Sequence, residues 1–232
     1  MKLSIIIPAF NEIKTIKVII DKILNLKDLD TEIIVVDDYS SDGTRQIIEN
    51  ELFLKVEKVI FHEKNLGKGA AIISAKKFVT GDIVIIQDAD LEYDPNDYYK
   101  LIEPILNKSS KIVYGSRVLK TNRYKNNNFT SNVRVFANHM LTILSNLINN
   151  QNLTDAHTCY KVFDANIFKS IQLMENGFSF CPEITTKISN LNIEITEVKI
   201  SYKGRSFEEG KKISLLDGFD AIKALLKYKC FK

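Results

Sequence analysis

The sequence has no tryptophan, three cysteines and no long uncharged apolar run, and each shortage removes a class of protein. Cys159, Cys181 and Cys230 are an odd number without CxxC spacing, which argues against a disulfide framework or a cysteine-based zinc site. A reducing, cytoplasmic setting is expected. A membrane-spanning helix needs roughly 18 or more apolar residues. Even Val133 to Ile148 is broken by Arg134, Asn138, His139 and Asn146. The first apolar run starts after Met1-Lys2 and stops at Pro8, so it lacks the apolar region of a signal peptide. A formal net charge of +3 is too slight for the electrostatic footprint of a nucleic-acid binder. With 45% hydrophobic and 26% charged residues in 232, the composition is that of a globular protein with a large core.

The apolar runs Leu3 to Ile7 and Glu32 to Val36 read as buried parallel strands. Between them Ile13, Ile16, Ile19, Ile20, Ile23 and Leu24 recur at helical spacing, with Lys14, Lys17, Asp21 and Lys22 on the other face. The alternation continues with a helix over 44–52, a strand over 56–62, a helix over 68–79, a strand over 82–87, a helix after Pro95 and a strand over 111–114. This predicts an α/β fold: a Rossmann-like, mostly parallel sheet flanked by helices, with the ligand crevice beyond the carboxyl ends of the strands. Residues 120–131 are polar and rich in asparagine and read as a loop, the best candidate for a lid. An amphipathic helix is expected from Val133 to Ile148, a strand over 194–202, and a closing amphipathic helix over 214–228.

The strand ends carry the chemistry. Asp88 and Asp90 follow a buried strand one residue apart, where like charges repel and lose hydration, so a divalent cation would relieve the cost. Mg2+ or Mn2+ between these carboxylates and a nucleotide diphosphate is the matching arrangement, with Glu92 completing the shell or orienting a water. Alone, such a triplet is also what an acidic surface turn looks like. Asp37-Asp38 and Asp42-Gly43-Thr44 form a second acidic turn at a neighbouring strand end, suited to a base or ribose, although Asp42 can equally cap the helix at Thr44. Asn65-Leu66-Gly67-Lys68-Gly69 opens a helix, where glycines let backbone approach a ligand and Lys68 could sit near the nucleotide.

Together, Pro8-Ala9-Phe10-Asn11-Glu12, Val36-Asp37-Asp38, Asp42-Gly43-Thr44, Asn65 to Gly69, Gln87-Asp88-Ala89-Asp90, Gly115-Ser116-Arg117, Thr154-Asp155, Thr158-Cys159-Tyr160-Lys161, Pro182-Glu183-Ile184-Thr185 and the segment from Tyr202 to Lys212 resemble, in order, the family 2 glycosyltransferases. The likeness is to the branch of dolichyl-phosphate mannose and glucose synthases. It implies a GT-A fold over residues 1–232, with a nucleotide-sugar half (1–117) and an acceptor half (118–232) ending in the amphipathic helix. It also implies an inverting transfer from a UDP- or GDP-linked sugar to a polyprenyl phosphate. Pro8, Ala9, Glu12, Val36 and Asp38 would then hold the nucleoside, with Lys68, Asp88, Ala89 and His157 completing the donor site. Asp88, Asp90 and Glu92 would hold the metal, and Arg117, Arg205 and Lys211 would meet donor and acceptor phosphates.

Relatives commonly carry Glu where this chain has His157, which could contact sugar hydroxyls, shift donor preference, donate to a phosphate when protonated, or be structural. A phosphate acceptor is already an anion at neutral pH and needs little base catalysis; if a base is needed, Glu183 or Asp155 is the candidate. A processive polysaccharide synthase is disfavoured, because the QxxRW motif of those enzymes needs a tryptophan. A saccharide or protein acceptor, or a non-catalytic nucleotide-sugar-binding homologue, stays open. A lipid acceptor implies peripheral contact at the cytoplasmic face of a membrane. In the last helix, core contact is expected for Leu215 to Ile222, including Phe219, and membrane contact for the Lys-rich final turn.

Overall fold

The computed structural model describes residues 1–120, 129–205 and 215–230, with the side chains of 129–134 and 215–217 left aside. Most of the proposed lid loop and Lys211 lie outside the described residues. Seven strands form one sheet: β1 (Lys2–Ala9), β2 (Asp30–Asp37), β3 (Lys58–Phe61), β4 (Ile83–Ile86), β5 (Ile112–Ser116), β6 (Lys161–Asp164) and β7 (Thr196–Lys199), in the order β3-β2-β1-β4-β6-β5-β7. Ile5, Ile6 and Ile7 on β1, Val35 and Val36 on β2, and Ile85 and Ile86 on β4 are all fully or almost fully buried. Unbroken burial of successive residues requires helices on both faces of the sheet, and the helices α1 (Ile16–Leu24), α2 (Thr44–Ile47, continued as π-helix over Ile48–Leu52), α3 (Lys68–Lys76) and α4 (Tyr98–Leu106) supply part of that cover. α1 turns Ile16, Ile19, Ile20 and Ile23 inward. α3 buries Ile72 together with Gly69, Ala70, Ala71 and Ala75, the last four small enough to let its backbone approach closely.

The chain runs outward from β1 to β2 and β3, then returns to place β4 on the other side of β1. A crevice opens where the order reverses, beyond the carboxyl ends of β1, β2 and β4. Three non-glycine residues take left-handed backbone in the turns that follow these strands: Asn11 (φ +52°), Tyr39 (+66°) and Leu91 (+62°). Asparagine adopts this conformation readily. Tyrosine and leucine do so at a cost that is concentrated at functional sites.

β6 pairs antiparallel with both β4 and β5. Reversal has a consequence for the site: the segment entering β6, Thr154 to Tyr160, arrives at the edge where β4 and β5 end. The sequence pattern marked this segment as a motif but not as a strand, because four residues, Lys161 to Asp164, show no diagnostic period. The remaining helices are α5 (Phe129–Asn149), α6 (Ala165–Ser170), α7 (Phe180–Asn190) and α8 (Leu215–Cys230). On α8 the inward residues are Ala221, Ala224, Leu225 and Tyr228, whereas Phe219 is exposed, against the expectation of core contact there. In the Lys-rich last turn, Lys227 meets Glu175 at 2.8 Å and Lys229 meets Ser189 Oγ at 3.2 Å.

Candidate active site

Beyond β4 the backbone is fixed by Gln87, which is fully buried. Its Nε2 donates to the Asp88 carbonyl at 2.8 Å, while its Oε1 accepts from the hydroxyls of Tyr98 and Tyr160, each at 2.7 Å. A buried amide with its bonds satisfied gives the turn one geometry. The left-handed Leu91 then lets Glu92 N–H donate to Asp90 Oδ1 at 3.0 Å.

Each acid of the triplet meets a cation. Lys68 Nζ donates to Asp88 Oδ1 at 2.5 Å and lies 3.4 Å from Cys159 Sγ. Burial would raise the Asp88 carboxyl, but the Lys68 ammonium outweighs it and holds the group below its ordinary value. Burial of Cys159, with Asp88 beside it, pushes the thiol well up, so it lines the site as a neutral group. Arg205 reaches Asp90 Oδ2 at 2.9 Å and forks onto both oxygens of Glu12 at 3.0 and 3.1 Å, while its backbone N–H donates to Glu92 Oε1 at 2.7 Å. Burial raises the Asp90 carboxyl, the charges of Asp88 and Glu92 add to this, and Arg205 only partly opposes them, leaving the group at about 7. Asp90 therefore sits in a field in which an added cation would be favourable.

Arg205 is delivered by the chain after β7: Tyr202 bridges to Tyr93, Lys203 N–H donates to the Glu92 carbonyl at 2.9 Å, and Tyr202 Oη donates to Glu92 Oε2 at 2.8 Å. Tyr93 and Tyr202 escaped the sequence reading as site residues. Tyr93 is three residues beyond the acidic triplet, and Tyr202, three before Arg205, only opens the segment matched from Tyr202 to Lys212. Arg117, from the end of β5, is gripped by Asp155 through Nε (2.7 Å) and Nη2 (2.8 Å) and lies over the Tyr202 ring at 5.1 Å. Asp155 is in turn seated by Glu197, which accepts from the N–H groups of Thr154 and Asp155.

Other candidates have more local partners. Asp38 accepts from Leu66 N–H (2.9 Å) and Gly67 N–H (2.7 Å) and sits 2.7 Å from His62 Nδ1, so it fastens the loop that carries Lys68. The side chains of Ala9 and Val36 are in the core and their backbone belongs to the sheet, Val36 lying between Pro8 and Ile60 and the Ala9 carbonyl accepting from Asp38 N–H at 2.8 Å, while Ala89 is buried in the turn after β4. Asp42 precedes Gly43, the N-cap of α2, and accepts from Thr44 N–H at 3.0 Å and from Ile13 N–H at 3.1 Å, tying the turn before α2 to the one after β1. The glycines of the Lys68 loop serve the protein's own backbone: a Cβ on Gly67 would lie 2.5 Å from the Asn176 carbonyl oxygen, and one on Gly69 2.0 Å from that of Glu175. What approaches closely there is residues 175–177.

Glu183 is wholly buried on α7, accepts from Met174 N–H (2.7 Å) and Glu175 N–H (2.9 Å), and pairs with Lys187 at 2.6 Å. It holds that same 175–177 stretch in place. His157 is held neutral: burial, helped by the nearby Lys161 charge, brings it down to about 4, and its buried Nε2 has no hydrogen-bond partner among the described residues. Donation to a phosphate as a cation at neutral pH, one of the roles considered for it, does not fit that environment.

The family model for glycosyl transferase family 2 matches residues 4–172. The chain belongs to glycosyl transferase family 2. It is 33% identical over 248 residues to the UDP-N-acetylglucosamine–dolichyl-phosphate N-acetylglucosaminyltransferase of Methanococcus voltae, covering 98% of this chain and 96% of that protein. Over 127 residues it is 39% identical to the dolichol-phosphate mannosyltransferase of Pyrococcus furiosus, covering 54% of this chain and 36% of that one. In structure it resembles glucosyl-3-phosphoglycerate synthase from Mycobacterium tuberculosis, solved with Mn2+, uridine diphosphate and phosphoglyceric acid (TM-score 0.72, 22% identity, 98% and 78% of the two chains). It also resembles mannosyl-3-phosphoglycerate synthase from Rubrobacter xylanophilus (TM-score 0.74, 22% identity, 98% and 73%). The fold of this family 2 glycosyltransferase is GT-A, as expected, and among the described residues no helix is long and apolar enough to cross a membrane.

Proposed function

We propose that this glycosyltransferase moves a sugar from a UDP- or GDP-linked donor to a polyprenyl phosphate, with inversion at the anomeric carbon. The observation that carries the reading is the convergence of Glu12, Asp88, Asp90 and Glu92 at the strand-order reversal, where Lys68 pairs with Asp88 and Arg205 with the other three. The dolichyl-phosphate transferase that resembles the chain over nearly its whole length supports the acceptor class.

The donor set suits Mg2+ or Mn2+, because it consists of hard carboxylate oxygens and Asp90 sits in a field that favours a cation. Among the described residues no three acidic, histidine or cysteine groups converge tightly enough to hold an ion unaided. Asp88 and Asp90, with Glu92 behind them, would therefore hold it together with diphosphate oxygens. When bound, the ion offsets the charge that develops on the departing nucleoside diphosphate.

The chain's own groups position the rest. One oxygen of the acceptor phosphate attacks the anomeric carbon, the bond from that carbon to the donor diphosphate breaks, and the electron pair leaves with the diphosphate. No proton has to be removed from a phosphate anion at neutral pH. This accords with the two candidate bases being engaged elsewhere, Asp155 on Arg117 and Glu183 on the loop at 174–175. Arg117 is held rigidly enough to orient a phosphate, and Arg205 and Lys68 lie where donor and acceptor oxygens would meet.

The test is nucleoside diphosphate release with polyprenyl phosphate and Mg2+ or Mn2+, and mass spectrometry of the lipid product across a panel of nucleotide sugars. Asp90→Ala is expected to lower turnover about 100-fold or more. A near-normal rate in that variant would remove the metal assignment. Transfer by the native enzyme to a saccharide or peptide hydroxyl, with none to polyprenyl phosphate, would overturn the acceptor.

A further inference from the structure

The helix that carries Lys68 has no cap of its own. α3 starts at Lys68 behind Gly67, and no side chain caps its first turn. The missing acceptor comes from a distant part of the chain: the Asn176 carbonyl accepts from Ala70 N–H at 3.0 Å. Glu175 and Asn176 press so closely on Gly67 and Gly69 that a Cβ on either glycine would overlap one of their carbonyl oxygens. From the other side Asp38 holds the N–H groups of Leu66 and Gly67. The loop therefore projects the Lys68 side chain towards Asp88 from a backbone that the protein itself grips. Residues 171–177 lie across this mount as a strap, and none of them is in a helix or strand. Its shape depends on side chains that reach its backbone. Lys76 on α3 donates to the Ile171 carbonyl, and Lys187 on α7 to the Gln172 carbonyl. Glu183, wholly buried on α7, takes the Met174 and Glu175 N–H groups, one on each carboxylate oxygen, and Lys187 meets its charge at 2.6 Å. From α8, Lys227 and Tyr228 Oη hold the Glu175 side chain at 2.8 and 2.7 Å.

We propose that Glu183 is a positioning residue for the donor: through the strap it sets where Lys68 stands beside Asp88, and so how tightly the nucleoside diphosphate is held. The inference rests on the reading of Asp88 and its neighbours as the donor diphosphate site. A lysine is a mobile point charge on a flexible stem, and it aims only as well as its backbone is fixed. Here that backbone is fixed by Asp38 on one side and by the strap on the other. Loss of either grip on the Met174 and Glu175 peptides shifts the strap, moves the first turn of α3 and carries Lys68 away from the diphosphate oxygens. Displacements of this kind weaken binding although the altered group touches no substrate. A carboxylate that only stabilised the fold would act differently: it would change melting and leave the ligand affinity of the folded protein as it was.

The experiment is calorimetric titration of the full chain with UDP and with GDP in the presence of Mn2+, alongside donor and acceptor kinetics. Glu183→Gln, which keeps the shape and one acceptor, is expected to weaken nucleoside diphosphate binding about fivefold or more. The KM for the donor should rise in proportion while that for polyprenyl phosphate stays native. In a Lys68→Met background the same substitution should change affinity by less than about twofold, because the group it acts through is gone. Gly69→Ala pushes on the strap from the opposite side with Glu183 intact, and it should reproduce both the loss and its dependence on Lys68; it also keeps the test open should Glu183→Gln not fold. Native affinity in a folded Glu183→Gln variant, or an equal loss with and without Lys68, would overturn the proposal. Failure of the donor-site reading is separate: the native chain then binds neither UDP nor GDP, and the proposal falls with it.

Discussion

In the half built around β1 to β4 the fully buried side chains are mostly isoleucines and valines such as Ile5, Val35 and Ile85, while beyond residue 117 they include Lys161, Glu183, Thr158, Thr185 and Thr186 as well as apolar groups. In the first half most of the buried polar groups, among them Asp37, Asp38 and Gln87, gather at or just beyond the strand ends. In the second, charges are buried in pairs and α5 turns Phe136, Met140, Ile143 and Leu147 outward. Lys161 shows how far this goes: its ammonium donates to the carbonyls of Ala156 (3.1 Å) and Thr158 (2.6 Å) and lies 4.3 Å from the centre of the Tyr114 ring. Burial lowers its pKa, and the two carbonyls together with the ring replace the water it has lost. The difference teaches a division of labour. The parallel half is a rigid shelf whose strand ends present carboxylates, and the later half is a polar framework that delivers Arg117 and Arg205 to them.

The contrast breaks most sharply at Asp155. Replacing it by Ala strands the largely buried Arg117, and a buried pair broken on one side costs about 3–5 kcal/mol. Chemical denaturation measures this, and a loss below about 1 kcal/mol would mean that the framework is not held by its charges. A comparable loss comes from the apolar shelf by another route: Ile85→Ala leaves a cavity worth about 2–5 kcal/mol. Leu147→Ser, an equally apolar position by sequence, should cost no more than about 0.5 kcal/mol because it is already exposed.

Glu183→Gln sharpens the comparison at smaller scale. It keeps one acceptor for the Met174 and Glu175 N–H groups but loses the charge that Lys187 meets, so a cost of about 1–3 kcal/mol is expected. The pH profile of turnover should keep its shape; loss of its acidic limb alone would mark Glu183 as a base after all.

Acid separates the halves by window. His157 has a folded pKa of about 4, below its unfolded 6.5, so its unprotonated form is the one that fits and its share of stability is lost as pH falls from 6.5 towards 4. Burial would raise Glu32, but Lys2 and hydrogen bonds from Ser4 and Thr80 outweigh it and bring it to about 2. Its contribution is present above 4.5 and disappears as pH falls from 4.5 towards 2. In melting curves, His157→Asn should flatten the first window and Glu32→Gln the second. Identical slopes in the variants and the native chain would refute both assignments.

Much of this could be read without coordinates. Isoleucine runs bounded by Pro8, Asp37 and Gln87 are long enough to declare parallel strands, and parallel strands put their ends on one edge, so the carboxylates there were legible as a cluster. The ordered motifs carried the family. What the residues could not show depends on contacts across the chain. Lys161 to Asp164 is too short to declare its direction, yet that antiparallel strand decides that Asp155, His157 and Cys159 reach the site. The glycines at 67 and 69 read equally as a ligand cradle or a packing seam, and only the position of residues 175–177 chooses the seam.

Charge partners obey the same rule. By itself the sequence determined that acids stand at the ends of buried strands, because hydrophobic period and turn composition are local properties. Tertiary structure alone decided which cation meets which acid, that Glu183 is spent on a loop, and that α5 faces outward. Periodicity reports that a helix has two faces; which of them is covered is settled by what the rest of the fold packs against it.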